Sequence, residues 1–324
     1  MSQFTVTSAT AHGKDQSEII HNWGINPFDI SDDVLMEYSF QMIQNFNLIE
    51  TFKIDSVKLK TFIKEANKLY HDVDFHNFKH GWSQMHVSYM ILRHGASDYL
   101  TPLDMLAVLI GGLCHDLDHP GHNNAYEVVA ETDRALTHSF DAVLERHHAS
   151  LAHRLLKSPG SSILESLTSA EKTYVHQAIT DIILATNMAD HGSLVKRLEK
   201  CSTKSAPFDI SDERSRRDLM RFVAHSADIS SQVLPFNVAK LWSDRVCAEF
   251  MHQSSEEKIH NYPVTQFMTN LDTDEQRCHA QLGFISYVVR PLWTALSACL
   301  PRLNECCIQL QVNHDHYSKG QPSN

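Results

Sequence analysis

Three histidines and two aspartates lie within ten positions, residues 115–124, directly after an apolar run. Imidazole and carboxylate groups are ligands of zinc, magnesium and manganese, and the adjacent His115 and Asp116 can offer one nitrogen and one oxygen. A solvated loop would rarely carry so many coordinating groups immediately behind a core segment. The segment therefore predicts a divalent metal site.

Two shorter groups add to it. His76 and His80 stand at i and i+4, which places both on one face of a helix, and His225 and Asp228 stand at i and i+3. Alone each is weak, because such histidine pairs are more often structural and Asp228 could simply cap a helix. Together the three groups predict one site assembled from distant helices.

Composition narrows the class of protein. The chain has 324 residues, of which 42% are apolar and 21% charged, as in soluble globular proteins. A net charge of -11 offers no electrostatic attraction to DNA, RNA or an anionic membrane. The seven cysteines contain no Cys-x-x-Cys pair and predict reduced thiols in a cytoplasmic protein. No signal peptide is visible, and the apolar run 103–114 is too short to cross a bilayer, so no membrane insertion is predicted.

Apolar residues recur with a period near 3.6 from about residue 34 to about residue 310, and alternating strand patterns are missing. These patterns predict an all-α protein with a single compact multi-helix domain. The breaks between the periodic segments are too short to be domain linkers. We expect an N-terminal extension at 1–30, one domain at 31–310 and a loose polar tail at 311–324.

Four motifs follow one another in a characteristic order: His-Asn-x-x-His at 76–80, His-Asp-x-Asp-His-x-Gly-x-x-Asn at 115–124, His-x-Ala-Asp at 225–228 and Gln-x-Gly-Phe at 281–284. This order resembles the catalytic domain of the class I 3′,5′-cyclic nucleotide phosphodiesterases. The resemblance implies a fold of the His-Asp phosphohydrolase type, with the metal site at the junction of helical subdomains. It also implies metal-dependent hydrolysis of cAMP, cGMP or both to nucleoside 5′-monophosphates.

The resemblance assigns roles in the reaction. A zinc ion would be bound by His80, His115, Asp116 and Asp228. Asp116 would also bridge to a second ion, magnesium or manganese, and two such ions acidify a bridging water and clamp both sides of a phosphoryl displacement. A metal-bridging hydroxide would then attack phosphorus. His76 would be the general acid toward O3′, with Glu249 orienting it and His119 lying beside the hydroxide.

The resemblance also assigns a substrate pocket. Gln281 would hydrogen-bond the purine and Phe284 would stack on it. The remaining substrate contacts implied are Val246, Phe250, Ser231 and Met188. Without the surrounding motifs, the apolar members of this set would be interpreted as ordinary core residues.

Several positions depart from the family pattern. Asn187 stands where relatives usually carry an aspartate, which removes a charge near the second metal. Ser231 stands where cAMP-selective relatives usually carry an asparagine, so the choice between adenine and guanine stays open. Asp133 stands where an ungapped comparison expects a glutamate bonded to the counterpart of His119. Phe75 replaces a common tyrosine.

Two other functions compete with this hypothesis. A His-Asp phosphohydrolase acting on another phosphoester would explain the ligands but would leave Gln281 and Phe284 without a role. A cyclic nucleotide-binding regulatory module, catalytically weakened through Asn187, would bind nucleotide without forming product. The expected partner is a cyclic nucleotide, and the resemblance further implies upstream regulatory domains in a full-length protein and allows a homodimer.

Overall fold

The computed structural model describes residues 19–319, and every regular element in that part of the chain is a helix. The long elements are α1 (Asp32–Asn45), α2 (Leu48–Thr51), α3 (Ser56–Leu69), α4 (Phe78–Arg93), α5 (Pro102–Leu113), α6 (Asn124–Val129), α7 (Asp133–Thr137), α8 (Val143–Lys157), α9 (Ser169–Leu184), α10 (His191–Ser202), α11 (Glu213–Asp228), α12 (Phe236–Ile259), α13 (Asp274–Phe284), α14 (Arg290–Cys299) and α15 (Asn304–Lys319). Single 3₁₀ turns lie at Pro27–Asp29, Ala96–Tyr99, Met188–Asp190, Ser230–Val233, Gln266–Met268 and Pro301–Leu303.

Helix α5 lies at the centre of the domain, packed between α4 and α9. Its start is well defined, because Thr101 caps it, Pro102 occupies the first helical position, and the side chains of Thr101 and Asp104 satisfy each other's backbone N–H groups. Ten consecutive residues from Asp104 to Leu113 are buried. A helix that is apolar all round can only be a core helix, which agrees with the apolar run in the sequence.

Two glycines near the end of α5 bring its neighbours close to the metal-binding segment. A β-carbon on Gly111 would lie 2.7 Å from Ile182 of α9, and one on Gly112 would overlap the Gln84 side chain of α4. Since both positions lack a side chain, α4 and α9 approach the α5 backbone directly. His115 and the residues after it therefore leave α5 beside the start of α4.

Helices α13 and α14 form one continuous helix, Asp274–Cys299, joined by a π-helical segment at Ile285–Val289. Such segments are rare and often occur at functional sites. By length and composition this helix could cross a membrane, although core helices of soluble proteins meet the same criterion. Here Gln281, Ile285 and Trp293 are buried within the domain.

The described part of the predicted N-terminal extension packs onto the core instead of projecting as an arm. Ile20 is fully buried, and its carbonyl accepts a hydrogen bond from His86 Nε2 at 3.0 Å. Trp23 is also buried and lies edge-on to another tryptophan of the core. In the sequence these apolar residues are few and lie among polar neighbours, so their packing against the core could not be predicted. Residues 1–18 lie outside the described residues.

Residues 311–319, predicted as part of a loose polar tail, continue helix α15. Asn313 is completely buried and donates hydrogen bonds to the carbonyls of Gln232 and Leu234 at 2.8 and 2.7 Å. Tyr317 is buried on the same helix. A buried amide that donates to distant backbone carbonyls looks like a surface residue in the sequence, so this contact could not be foreseen. Residues 320–324 lie outside the described residues.

Candidate active site

Four side chains from three distant segments meet at one point. His80 lies in the first turn of α4, His115 and Asp116 directly follow α5, and Asp228 is the last residue of α11. Their ligand atoms all lie within 4.8 Å of one another. The three histidine and aspartate groups of the sequence are thus brought together as predicted, and the cluster sits where these helices meet.

The spacing of the ligand atoms fits a single divalent ion. His80 Nε2 lies 3.1 Å from both Asp116 Oδ2 and Asp228 Oδ1, and His115 Nε2 lies 3.1 Å from His80 Nε2. Ligand atoms about 2.0–2.2 Å from one ion lie about 2.8–3.1 Å apart in an octahedral arrangement and about 3.3–3.6 Å apart in a tetrahedral one, so the observed separations fall in the range for a shared ion. The donor set, with two nitrogens and two carboxylate oxygens, is also one that zinc accepts.

Hydrogen bonds and charge prepare these side chains for a cation. Nδ1 of His115 donates to the Gly112 carbonyl at 2.9 Å, which leaves Nε2 as the coordinating atom. Burial disfavours the charged form of Asp228, but the contacts from His115 and His80 outweigh it and hold the pKa of Asp228 below its usual range. Asp116 and Asp228 raise the pKa of His115 despite its burial. A divalent cation would take the place of that proton, with both imidazoles neutral.

Asp116 faces two sides. Its Oδ2 belongs to the four-residue cluster, whereas its Oδ1 points toward His148 Nε2 at 3.7 Å. His148 is buried, donates its Nδ1–H to the Leu117 carbonyl at 2.6 Å, and burial lowers its pKa to about 4. The neutral Nε2 can therefore only accept. His148 was not predicted as a site residue, although its presence in the motif Glu-Arg-His-His at 145–148 was a usable signal.

His76 lies beside the cluster, but outside the helix predicted to carry it. Helix α4 begins at Phe78 with Asn77 as its N-cap, so His76 precedes the helix. A separation of four residues brings two side chains together within a helix, and it also does so here, where His76 precedes the N-cap. The ring centroids of His76 and His80 lie 5.4 Å apart. Glu249 of α12 fixes this segment, because its Oε2 accepts from the backbone N–H of Phe75 and His76 at 2.8 and 3.1 Å.

The second oxygen of Glu249 bonds to Nδ1 of His76. Burial lowers the pKa of His76, but the charge of Glu249 and this hydrogen bond outweigh it, so the pKa rises to about 9. The imidazole is therefore protonated at neutral pH. Because Nδ1 is occupied by Glu249, Nε2 is the nitrogen with a proton to give.

His119 is held as the neutral partner of His76. The two rings are stacked, with centroids 3.8 Å apart, and burial together with the positive charge of His76 lowers the pKa of His119 well below its usual value. The backbone N–H of Gly121 donates to Nδ1 of His119 at 3.1 Å. The proton of the neutral ring therefore sits on Nε2, which makes it a hydrogen-bond donor.

These groups line one cavity of about 690 Å³, a usual size for a ligand pocket. Asp116 and Asp228 lie on its wall together with the predicted substrate-binding residues. Those residues are Gln281, Phe284, Val246, Phe250, Ser231 and Met188. The metal cluster and the predicted base pocket are thus two parts of one cavity.

Gln281 is buried, and its Oε1 accepts a hydrogen bond at 2.9 Å from Nε2 of Gln232, which is also fully buried. The backbone of Gln232 is in turn held by Asn313. Sequence reasoning missed both supporting residues, since nothing in their spacing relates them to Gln281.

The sequence model of the 3′,5′-cyclic nucleotide phosphodiesterase family matches residues 75–310. This chain belongs to that family. It is 36% identical to the 3′,5′-cyclic-nucleotide phosphodiesterase regA of Dictyostelium discoideum over 90% of this chain and 37% of that protein. It is 34% identical to the high affinity cGMP-specific 3′,5′-cyclic phosphodiesterase 9A of Drosophila melanogaster over 87% of this chain and 18% of that protein. The chain therefore spans well under two thirds of these relatives.

The fold agrees with that of solved members of the phosphodiesterase family. The phosphodiesterase domain of the RhoPDE fusion protein from the choanoflagellate Salpingoeca rosetta superposes with a TM-score of 0.90 at 29% identity. The match covers 94% of this chain and 98% of that one. A single all-helical phosphodiesterase domain is thereby confirmed.

One of the predicted departures from the phosphodiesterase pattern is corrected. Asp133 is exposed at the start of α7 and does not line the cavity, so it is not the carboxylate near His119. The buried Glu145 lies on the cavity wall instead, and both of its oxygens accept from Asn124 Nδ2 at 3.0 Å. Asp133 lies in α7 and Glu145 in α8, and the turn at residues 138–142 separates the two helices.

The other three departures, Asn187, Ser231 and Phe75, line the cavity. Asn187 caps the turn Met188–Asp190, with its Oδ1 accepting from the Ala189 N–H at 3.0 Å. Ser231 lies in the turn that follows α11. Met188 is 47% exposed and belongs to the rim of the cavity more than to its interior. His225, the first residue of its motif, bonds to His191 at 2.9 Å and is not a member of the metal cluster.

Proposed function

We propose that this chain hydrolyses 3′,5′-cyclic nucleotides to nucleoside 5′-monophosphates. The observation that carries the proposal is the shared cavity, in which a four-residue metal cluster, a protonated imidazole and a buried glutamine with a neighbouring phenylalanine face the same space. Binding a phosphate, protonating a leaving oxygen and holding a base are the three tasks of this reaction.

We propose zinc at the cluster formed by His80, His115, Asp116 and Asp228, because two imidazoles with two carboxylates suit that ion. We propose magnesium or manganese at a second position beside Asp116 Oδ1. Two such ions would supply an acidified water and would offset the negative charge on the phosphoryl oxygens. The chain's own contribution is to direct the two oxygens of Asp116 toward different sides.

His76 would deliver the proton that the leaving O3′ needs. Its Nδ1 is occupied by Glu249, so the cavity-facing Nε2–H is the donor, and after transfer the ring is neutral. A pKa of about 9 keeps the acid charged at neutral pH. His119 would donate its Nε2–H to an oxygen of the reacting group without itself changing charge.

At the other end of the cavity, Gln281 would bond to the purine edge and Phe284 would stack on its face, with Val246 and Phe250 opposite. A primary amide offers a donor and an acceptor side by side, and both adenine and guanine present such a pair. We therefore propose cAMP and cGMP together as the substrate class, and Met188 and Ser231 as additional substrate contacts.

We further propose a cytoplasmic location, since all seven cysteines are unbridged. Because the chain covers only 37% and 18% of the two relatives named above, we also propose that regulatory domains lie outside this segment. A homodimer is proposed from the family resemblance and is testable by light scattering at several protein concentrations.

The test measures kcat/KM of the zinc- and magnesium-loaded protein for cAMP and for cGMP. We expect turnover of at least one of them, and a decrease in kcat of about 10²- to 10⁴-fold in His76→Ala. His314→Ala, on α15 away from the cavity lining, is the matched control and should retain full activity. Faster turnover of a nucleoside triphosphate, or an unchanged rate in His76→Ala, would refute the proposal.

A further inference from the structure

Two chain segments border the cavity from opposite sides. One is the metal loop, residues 115–124, and the other is the rim segment, residues 260–273, whose Phe267, Met268 and Leu271 line the cavity. Phe267 is 65% exposed, whereas Met268 and Leu271 are buried. Besides this packing, hydrogen bonds from α12 tie the rim segment to the metal loop.

Helix α12 runs between the two segments and carries Gln253 and Glu257 one turn apart. Both side chains are almost completely buried, at 1% and 2% exposure. The Oε1 atom of Gln253 accepts the backbone N–H of Asn123 in the metal loop at 2.8 Å. Its Nε2 donates to Glu257 Oε1, also at 2.8 Å.

Glu257 continues the chain of bonds to the rim segment. Its carboxylate accepts the Thr265 backbone N–H at 2.7 Å and the Thr265 hydroxyl at 2.8 Å. Its backbone carbonyl accepts from the Tyr262 N–H at 2.8 Å. Burial raises the pKa of Glu257, but the bonds from Gln253 and Thr265 outweigh it and lower the pKa, so the group stays ionised. Hydrogen bonds to a buried charge are among the stronger ones in proteins.

The direction of this chain is fixed at every link. The Asn123 N–H can only donate, and the Glu257 carboxylate can only accept, so the amide of Gln253 has a single orientation that satisfies both. Even a conservative substitution at one position therefore disturbs the hydrogen bonds of its neighbours in this chain. A glutamine at position 257 must turn its N–H₂ group either toward the N–H₂ of Gln253 or toward the Thr265 N–H, so one of these bonds is lost in either orientation.

We propose that Gln253 and Glu257 are positioning residues that connect the rim segment to the metal loop, so that the width of the base pocket and the placement of the metal ligands are set together. The proposal rests on the proposed function, since it concerns the same cavity. Neither residue is given a chemical step. Gln253 reaches the cavity wall, but its effect is exerted through Asn123 and Thr265.

A graded series of variants tests this connection. Thr265→Val removes one bond at the rim and should raise KM about 3- to 10-fold with kcat unchanged, because only the base pocket loosens. Gln253→Ala removes the link to both segments and should raise KM and also lower kcat about 10- to 100-fold, the usual effect of losing a group that orients metal ligands. Glu257→Gln should lie between them.

Combining the two changes provides a second readout. If the bonds act as one chain, Thr265→Val in the Gln253→Ala background should have little further effect on KM, since the rim segment and the metal loop are already disconnected. Gln311→Ala is the matched control, because Gln311 makes the same i,i+4 bond to a carboxylate, Asp315, on the surface of α15. It should leave kcat and KM unchanged.

Metal binding separates this proposal from the proposed function. Manganese affinity measured by calorimetry should fall in Gln253→Ala and not in Thr265→Val, even if no cyclic nucleotide is turned over. Circular dichroism and Tm establish that each variant is folded. Equal loss of kcat in the folded Thr265→Val and Gln253→Ala proteins, or additive effects in the double variant, would overturn the connection.

Discussion

Two of the regions of this molecule that bury carboxylates are built differently. Around Asp104, which is fully buried, every partner is a donor: Thr101 at 2.8 Å through its N–H and 2.7 Å through its hydroxyl, Arg216 Nε at 2.9 Å, and the Tyr174 hydroxyl. The carboxylate is satisfied by the protein alone, with a guanidinium to balance its charge.

The metal cluster has the opposite construction. Asp116 and Asp228 converge with His80 and His115 on one point, so that four groups able to bind a cation face one another. The carboxylates here pair with imidazoles, which can bind a cation beside them. A buried carboxylate balanced by a guanidinium, such as Asp104, is structural, whereas carboxylates and imidazoles that converge on one point indicate a metal-binding site.

The largest effect is expected from removing a ligand of the metal cluster. Asp228→Asn keeps the shape but weakens cation binding, so kcat should fall by more than about 10⁴-fold, since the acidified water and the charge neutralisation are both lost. The unfolding free energy of the metal-free protein should fall as well, because the contacts with His115 and His80 that hold Asp228 ionised are weakened. Zinc content and the zinc-dependent rise in Tm measure the loss, with the exposed Asp141→Asn as control. A retained zinc-dependent rise in Tm would show that Asp228 is not a ligand.

The opposite pattern is expected at Asp104. Asp104→Ala leaves Arg216 and the Tyr174 hydroxyl without their buried partner, and the unfolding free energy should fall by about 3–5 kcal/mol. At low temperature the folded fraction should keep its kcat, since Asp104 does not line the cavity. Denaturant unfolding measures the loss. Asp141→Ala, which breaks an exposed pair with Arg146, should cost about 0–1 kcal/mol. Equal stability of the two variants would remove the distinction between the regions.

A smaller effect, with a pH signature, is expected from Glu249→Gln. Wild-type activity should hold as pH rises until His76 loses its proton near pH 9, and should fall above that. Without the carboxylate of Glu249, burial lowers the pKa of His76. The fall in activity on the alkaline side of the pH profile, its alkaline limb, should therefore move to lower pH, and the rate at pH 8 should fall by about 10-fold or more.

The control for this pH shift lies on the same helix. Glu256 also bonds to a histidine, His122, at 2.6 Å, but that pair takes no part in the proposed proton transfer. Glu256→Gln should therefore leave the alkaline limb of kcat/KM in place. A limb that stays near pH 9 in Glu249→Gln would mean that Glu249 does not set the charge of the proposed acid.

The comparison also explains what the sequence could predict. Residues that meet at the metal cluster are all of rare, chemically specific types, so His80, His115, Asp116 and Asp228 could be named from their motifs. The all-helical fold followed from the 3.6-residue periodicity over most of the chain. Asp104 stands out in the sequence as a single charge within an apolar run. Its partner Arg216 lies 112 positions away, and because most arginines are at the surface, the sequence does not identify it as the partner.

Other features depend on contacts that leave no local signal. Whether His76 lies on a helix or before it depends on Glu249, which is 173 positions away and holds its backbone. Glu145 and Asp133 are both acidic residues near the right position, and only the turn between α7 and α8 decides which one reaches the cavity. The hydrogen bond between Asn123 and Gln253 joins a backbone N–H to a side-chain amide, and no pattern of residue types predicts it.

The smallest effect is expected at the edge of the metal cluster, where Asn187 replaces the usual acid of the family. Its Oδ1 caps a turn by accepting from the Ala189 N–H, and an aspartate can accept the same bond, so Asn187→Asp should keep the fold. A carboxylate at the cavity wall adds one more negative charge near the metal cluster, and should lower the magnesium concentration for half-maximal rate by about 2- to 10-fold. Asn187→Ser, which can cap the turn without adding charge, should behave like the wild type. If the aspartate and serine variants have the same magnesium dependence, the charge at position 187 does not affect metal binding. The contrast with Asp104 would then be confined to the four cluster residues and their direct partners.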